Sequence, residues 1–146
     1  MRLSWHLRFA GALMLCAAPW AMATTEGVVG KWKTIDDETN KPRSIVNLYE
    51  QNGRLYGQIM EIFRRPEETD PDPLCDKCPG ERANQPIKGM IIVTGLEKGE
   101  TRWQNGKILD PNNGKEYTAE IWREGDTLQV RGYLLMFYRT QTWQKP

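Results

Sequence analysis

SIVNLYEQ-NG-RLYGQIMEI, residues 44–62, decides the architecture. Asn52-Gly53 stands between Ser44–Gln51 and Arg54–Ile62, and this dipeptide is the strongest short-range hairpin signal, because a type I′ turn needs positive φ at both central residues. Antiparallel sheet is expected here, and the same grammar continues on both sides. Turn signals recur at Glu97–Glu100, Asn105-Gly106, Asp110–Gly114 and Glu124–Asp126, and the segments between them are rich in Val, Ile, Tyr, Trp and Thr with no sustained helical period.

Alternation is clearest near the C-terminal end. Leu128, Val130, Gly132 and Leu134 share one face while Gln129, Arg131 and Tyr133 share the other, so one face of that strand is buried. Tyr117, Ala119 and Ile121 oppose Thr118, Glu120 and Trp122 in the same way, and Arg139, Gln141 and Trp143 oppose Tyr138, Thr140 and Thr142. Strands are predicted at Val29–Asp36, Ser44–Gln51, Arg54–Ile62, Met90–Leu96, Thr101–Leu109, Glu116–Arg123, Thr127–Leu134 and Tyr138–Gln144. Eight short antiparallel strands suit an all-β, up-and-down barrel, which removes exposed edges and leaves room for side chains or one small ligand. An open sandwich is the alternative. One segment breaks the rhythm: Phe63–Lys88 is a loop with five prolines, six acidic residues, Cys75 and Cys78. Loops of this length are functional or disordered, and a cross-link through its middle argues for order.

The N-terminus has the form of an export signal. Arg2 and Arg8 mark a basic segment, Phe9–Ala18 is apolar, and Ala21-Met22-Ala23 is an A-x-A cleavage site, so residues 1–23 are expected to be removed and a single domain to begin at Thr24. The apolar run is too short to span a bilayer, which implies a soluble periplasmic or secreted protein without a transmembrane anchor. Removal takes away His6, the only histidine, and Cys16. Arg2 and Arg8 also leave, so 20 basic residues become 18 against 19 acidic, net −1, and the overall charge gives no footprint for nucleic acid or anionic membrane.

Cys75-Asp76-Lys77-Cys78 has C-x-x-C spacing, and three readings compete for it. An oxidising compartment favours a structural disulfide, which for so short a loop contributes about 2 kcal/mol on the entropic account. A redox pair would need a helix to follow, and Pro79-Gly80 follows instead. A metal site would need carboxylates such as Asp72, Asp76 or Glu81, or a second subunit, to complete the two sulfurs.

Gly30-Lys31-Trp32 on the first strand and Arg139 on the last resemble the calycin superfamily, the lipocalins and their relatives. There a G-x-W of the first strand meets an arginine of the last at the closed end of the barrel, which implies that Trp32 and Arg139 stack as a plug. A fuller resemblance covers the chain after Thr24. Pro42-Arg43-Ser44-Ile45-Val46, Leu74-Cys75-Asp76-Lys77-Cys78-Pro79-Gly80, Leu109-Asp110-Pro111 with Gly114-Lys115, Val130-Arg131-Gly132-Tyr133 and Arg139-Thr140-Gln141-Thr142-Trp143 are similar to the bacterial exported domain-of-unknown-function family number 2147. That resemblance implies a small periplasmic β domain and supports a disulfide-bearing loop. It brings no cofactor, metal or catalytic residue.

Three functional classes follow from these residues. As a binding module, Trp32, Asp36, Arg139, Gln141 and Trp143 line one interior, and Arg139 or Arg43 pairs an anionic group of a small polar or amphiphilic ligand. As an interaction or inhibitor domain for an envelope protein, the proline-rich loop is the contact surface and Trp122 and Tyr133 are anchors. As an enzyme, the chain has only carboxylate pairs such as Asp36 and Asp37, or Asp70 and Asp72, and Ser44 has no visible base. No nucleophile elbow or phosphate loop is present, so the reading is of a non-enzyme with no cofactor. Sequencing of the exported protein is expected to begin at Thr24, and intact mass after alkylation to show no free thiol. Met1 retained on a cytosolic protein overturns both expectations.

Overall fold

At the turn between residues 51 and 54, Asn52 and Gly53 adopt φ of 54° and 75°, the left-handed pair that a two-residue hairpin turn demands. The computed structural model describes residues 20–146, so most of the expected signal segment, with His6 and Cys16, lies outside the described residues. Eight strands follow one another: β1 (Gly30–Ile35), β2 (Pro42–Gln51), β3 (Arg54–Ile62), β4 (Ile91–Lys98), β5 (Trp103–Asp110), β6 (Lys115–Glu124), β7 (Thr127–Leu134) and β8 (Phe137–Trp143). Each pairs antiparallel with the next, in one sheet ordered 1 to 8. The sheet curls until β8 approaches β1, where Lys33 and Gln144 exchange both backbone hydrogen bonds at 2.7 and 2.9 Å. This is a nearly closed up-and-down barrel and not a sandwich, since no second sheet is present among the described residues. No described helix is long and apolar enough to cross a membrane.

Strand ends fall within two residues of the sequence expectation. One expected break does not occur. Asn105-Gly106 lies inside β5 as a bulge, with Asn105 at φ 60° and the register slipping between Trp103 and Gly106. The slip brings the backbone of β5 against β4: a Cβ on Gly106 would sit 2.6 Å from both the Leu96 side chain and the Thr94 carbonyl. Asn and Gly therefore serve a bulge here rather than a turn, because both tolerate the left-handed and close-packed backbone that a bulge needs.

The two ends of the barrel differ. At the closed end the β2–β3, β4–β5 and β6–β7 turns meet the entry segment, whose Thr24 bridges Arg123 of β6. Trp32, Trp103 and Trp143 fill this end at 2% exposure each, with Leu48, Leu55, Leu96 and Leu128 fully buried between them. The Trp32 indole N–H donates to the Val28 carbonyl at 2.8 Å, tying the entry segment across the floor. At the open end lie the β1–β2, β3–β4, β5–β6 and β7–β8 connections.

The β3–β4 connection folds back over the outer wall. Cys75 and Cys78 are joined by a disulfide and buried, Leu74 bridges Pro86, and Arg82 reaches across to Glu116 of β6 at 2.9 Å. Leu109 points outward with its partner Glu116, yet it is 2% exposed and packs in one apolar cluster with both cysteines. Gly114 makes that contact possible: it sits at φ 71°, and a Cβ there would coincide with the Lys77 carbonyl. Gly114→Ala is therefore expected to lower stability by about 1–3 kcal/mol and to lift the cross-linked loop from the wall. Thermal unfolding and proteolysis within residues 63–90 check this.

Candidate functional site

Register assigns the side chains that face the barrel interior near its open end. Ile108 pairs Tyr117, Gly132 pairs Arg139, Val130 pairs Gln141 and Leu134 pairs Phe137, and all of these project to the same face as the buried Ile121 and Leu128. Here, however, Ile108, Tyr117, Gly132 and Gln141 are only half-buried, and Leu134, Phe137 and Arg139 are exposed. The interior is thus dry and packed at the closed end and open to water at the other. Gly132 keeps the mouth wide on one side, since the Tyr117 ring lies across it with its Cβ 3.1 Å from where a Gly132 Cβ would be. Asn113 of the β5–β6 turn donates to the Tyr117 hydroxyl at 3.0 Å and fixes the ring against the wall.

Above the Lys33–Gln144 bridge, β1 and β8 share no further backbone bond among the described residues. A side-chain latch spans this seam. Asp37 of the β1–β2 turn accepts hydrogen bonds from the Arg139 guanidinium and the Gln141 amide, and Gln141 in turn accepts from the Trp143 indole at 3.2 Å. Arg139, Gln141 and Trp143 are therefore one connected row, as strand alternation predicts.

A second polar group braces the turn from behind. Asp36 is 8% exposed and receives Arg65 through two nitrogens, at 2.6 and 2.8 Å, with backbone N–H groups of Glu38 and Thr39 at 2.9 and 3.3 Å. Burial raises the pKa of this carboxyl, but the guanidinium and the two N–H donors outweigh it and hold the group below its ordinary value. Arg43 donates to Glu68 at 2.8 Å and to the Phe63 carbonyl at 3.2 Å, and the Arg43 bond lowers the Glu68 carboxyl in the same sense. Both acids are kept ionised, so neither is prepared to release a proton in acid catalysis. Asp70 accepts the backbone N–H of Asp72 at 3.0 Å in a turn, and the Ser44 hydroxyl is bonded to that of Thr34 at 2.8 Å. Among the described residues no three carboxylate, thiol or imidazole groups converge on one point.

Three sequence expectations need correction. Trp32 and Arg139 do not stack: the bridge at Lys33–Gln144 sets Trp32 beside Lys145, whose ammonium lies 6.0 Å from the ring centroid, and leaves Arg139 at the mouth paired with Asp37. Six residues of extended strand separate positions 139 and 145, about 20 Å. Trp122 is not an exposed anchor either. It is 3% exposed, covered on the outer wall by the guanidiniums of Arg102 and Arg131 at 4.2 and 5.1 Å. Arg43, expected as a ligand-pairing cation, is instead engaged by Glu68.

Sequence reasoning missed the Arg65 brace, the Asp37 latch and the exposed apolar surface of the β7–β8 turn. Leu134, Leu135, Met136, Phe137 and Tyr138 are 45%, 92%, 85%, 74% and 61% exposed. The signal was present as an apolar run passing through a turn without any polar residue. Two surface clefts, of about 560 and 530 Å³, lie outside the barrel, one between Tyr56, Arg82 and Met90, the other between Lys33, Met60 and Phe63.

A family model described as an uncharacterized protein conserved in bacteria (DUF2147) matches residues 30–145. Among solved structures, protein HP1028 from the human pathogen Helicobacter pylori, described as belonging to the lipocalin family, superposes with a TM-score of 0.68 at 20% identity, covering 82% of each chain. This is a likeness of fold. No curated protein matches in sequence.

The brace has a pH signature. Because the folded-state pKa of Asp36 lies below its unfolded value near 3.8, its stabilisation is present above that value and is lost as pH falls through the folded pKa. Asp36→Asn is expected to melt below wild type at neutral pH, and the gap to narrow as pH drops under the ordinary carboxylate range. Melting curves across that range check it, and a gap constant with pH contradicts the assignment.

Proposed function

Since the chain belongs to the DUF2147 family and folds as a lipocalin-like barrel, we propose that it is a non-catalytic binding module of the bacterial envelope that takes a small polar or amphiphilic ligand at the barrel mouth. The observation that carries this reading is the half-exposed inner ring, where Ile108, Tyr117 and Leu134 offer apolar surface beside the polar ends of Arg139 and Gln141. An apolar wall with a few convergent polar groups is the composition of a site that holds an amphiphile by its tail and orients its head. Arg139 keeps 68% of its side chain exposed even while paired with Asp37, so its guanidinium can also meet an anionic head group. The closed end is filled by tryptophans, so a ligand has only the mouth end to occupy and is small.

Export supports the same reading. Trp20 and Met22 are 90% and 82% exposed, while Thr24 is bridged to Arg123 of β6, so a cut after Ala23 keeps that bridge. The buried Cys75–Cys78 bond fits an oxidising compartment. A periplasmic protein of this form needs no cofactor for the role.

Native mass spectrometry of protein recovered from the periplasm is expected to show a bound small molecule. The fluorescent amphiphile anilinonaphthalene sulfonate is expected to bind saturably. Gly132→Leu, which fills the mouth beside Tyr117, weakens that binding at least about tenfold, and Arg139→Met weakens it less, both with unchanged far-UV circular dichroism. Probe binding indifferent to both substitutions, with no co-purified molecule, refutes the reading.

A further inference from the structure

The β7–β8 hairpin is apolar all round at its tip. Leu134 and Phe137 point to the inner face, Tyr133 and Tyr138 form a cross-strand pair on the outer face with ring centroids 5.6 Å apart, and Leu135 and Met136 make the turn itself. Nothing among the described residues covers Leu135, Met136 or Phe137, whose exposures of 92%, 85% and 74% stand far above those of the other apolar side chains of the barrel strands. Behind this tip the side chains change in layers. The tyrosine pair comes first, and Arg139 and Arg131 follow one and two register steps deeper, with the Arg131 guanidinium stacked on Tyr138 at 4.4 Å.

Apolar tip, aromatic pair and cationic pair repeat the order of a bilayer leaflet read outward: hydrocarbon, interfacial belt and phosphate. The depth fits as well. From the turn to the tyrosine pair is two residues of strand, about 7 Å, which is the penetration of an element lying in the headgroup and acyl boundary. The shape selects among apolar occupants. A protein surface or a second copy would contact one face of a hairpin, whereas this tip is apolar on both faces and at its apex, which only a phase that surrounds it can satisfy.

The backbone adds an independent observation. Leu135 holds φ at 57°, a left-handed conformation that asparagine or glycine adopts far more readily at such a turn. A leucine here costs folding stability and adds exposed apolar surface at the same position, so its use is not in the folded barrel.

We propose that the β7–β8 hairpin docks the protein on a lipid bilayer, inserting Leu134, Leu135, Met136 and Phe137 into the interface with the barrel mouth facing the membrane. This inference does not depend on the ligand reading: vesicle partition reports the tip and probe fluorescence reports the mouth, and each can fail alone.

The test uses the full chain with phosphatidylcholine vesicles, with and without phosphatidylglycerol. Wild type is expected to co-sediment with both, more strongly with the anionic ones because of Arg131 and Arg139. Leu135→Gly/Met136→Asn places glycine at the left-handed position and a polar turn residue after it, so it is expected to raise the melting temperature while lowering partition at least about tenfold. A merely structural hairpin would not move those two readouts in opposite directions. Wild type that fails to sediment overturns the proposal. So does a variant that sediments undiminished, which assigns the binding to another apolar segment such as residues 9–18. A photocrosslinker at position 135 that captures protein in envelope preparations while vesicle partition is absent assigns the tip to a protein partner instead.

Discussion

Closure of the barrel rests on one backbone pair, Lys33 with Gln144, and its register fixes the position of the groups at both ends. Below it, Trp32, Trp143 and the entry segment pack into a floor that excludes water. Above it, the two strands part, and the backbone bonds that a fully closed barrel would make are replaced by Asp37 reaching across to Arg139 and Gln141. A shift of the bridge by two residues along β8 would keep every side chain on its own face, yet it would draw Arg139 toward the floor and remove the latch. Register, more than composition, gives this barrel one sealed end and one wet end.

The polar interactions are distributed to suit that division. At the closed end the ion pairs Arg54–Glu97, Lys98–Glu26 and Arg123–Asp126 lie on the turns with exposed partners, whereas the more buried pairs stand at the mouth, where Asp36–Arg65 and Arg43–Glu68 tie the β1–β2 turn to the start of the long connection. A partly buried carboxylate of this kind is stable only with its cation and backbone donors in place, so these groups act as positioning struts for the rim. The disulfide serves the other side of the rim. By holding residues 75–78 flat on Leu109 and Gly114, it turns a proline-rich connection into a rigid cover for the outer wall and leaves the mouth free of it.

Local rules account for much of this and fail at identifiable places. Asn52-Gly53 declared its hairpin because a two-residue turn imposes φ values that few residues adopt, and strand faces followed from simple alternation. Asn105-Gly106 was misread as a turn because the same conformational freedom serves a bulge, and only the proximity of Leu96 distinguishes the two. Trp122 looked like an exposed aromatic by alternation. It is covered by Arg131 of β7 on one side and by Arg102, just before β5, on the other, and no single-strand pattern contains that information. The β7–β8 tip falls in the gap the strand bounds leave between Leu134 and Tyr138, but its exposure was not legible, since a turn without Gly, Asn, Asp or Pro carries no turn signal.

Taken alone, the amino-acid order determined the eight strands, their antiparallel succession, the inward and outward faces, and the row formed by Arg139, Gln141 and Trp143, because each depends on residues close together in the chain. The tertiary structure decided which cation lies over Trp32, which carboxylate holds Arg139, and which end of the barrel stays open. Those outcomes depend on how the last strand meets the first across more than a hundred residues. No local propensity encodes that register; it is set by the summed packing of the tryptophan-filled floor and the accumulated stagger of all the strands between.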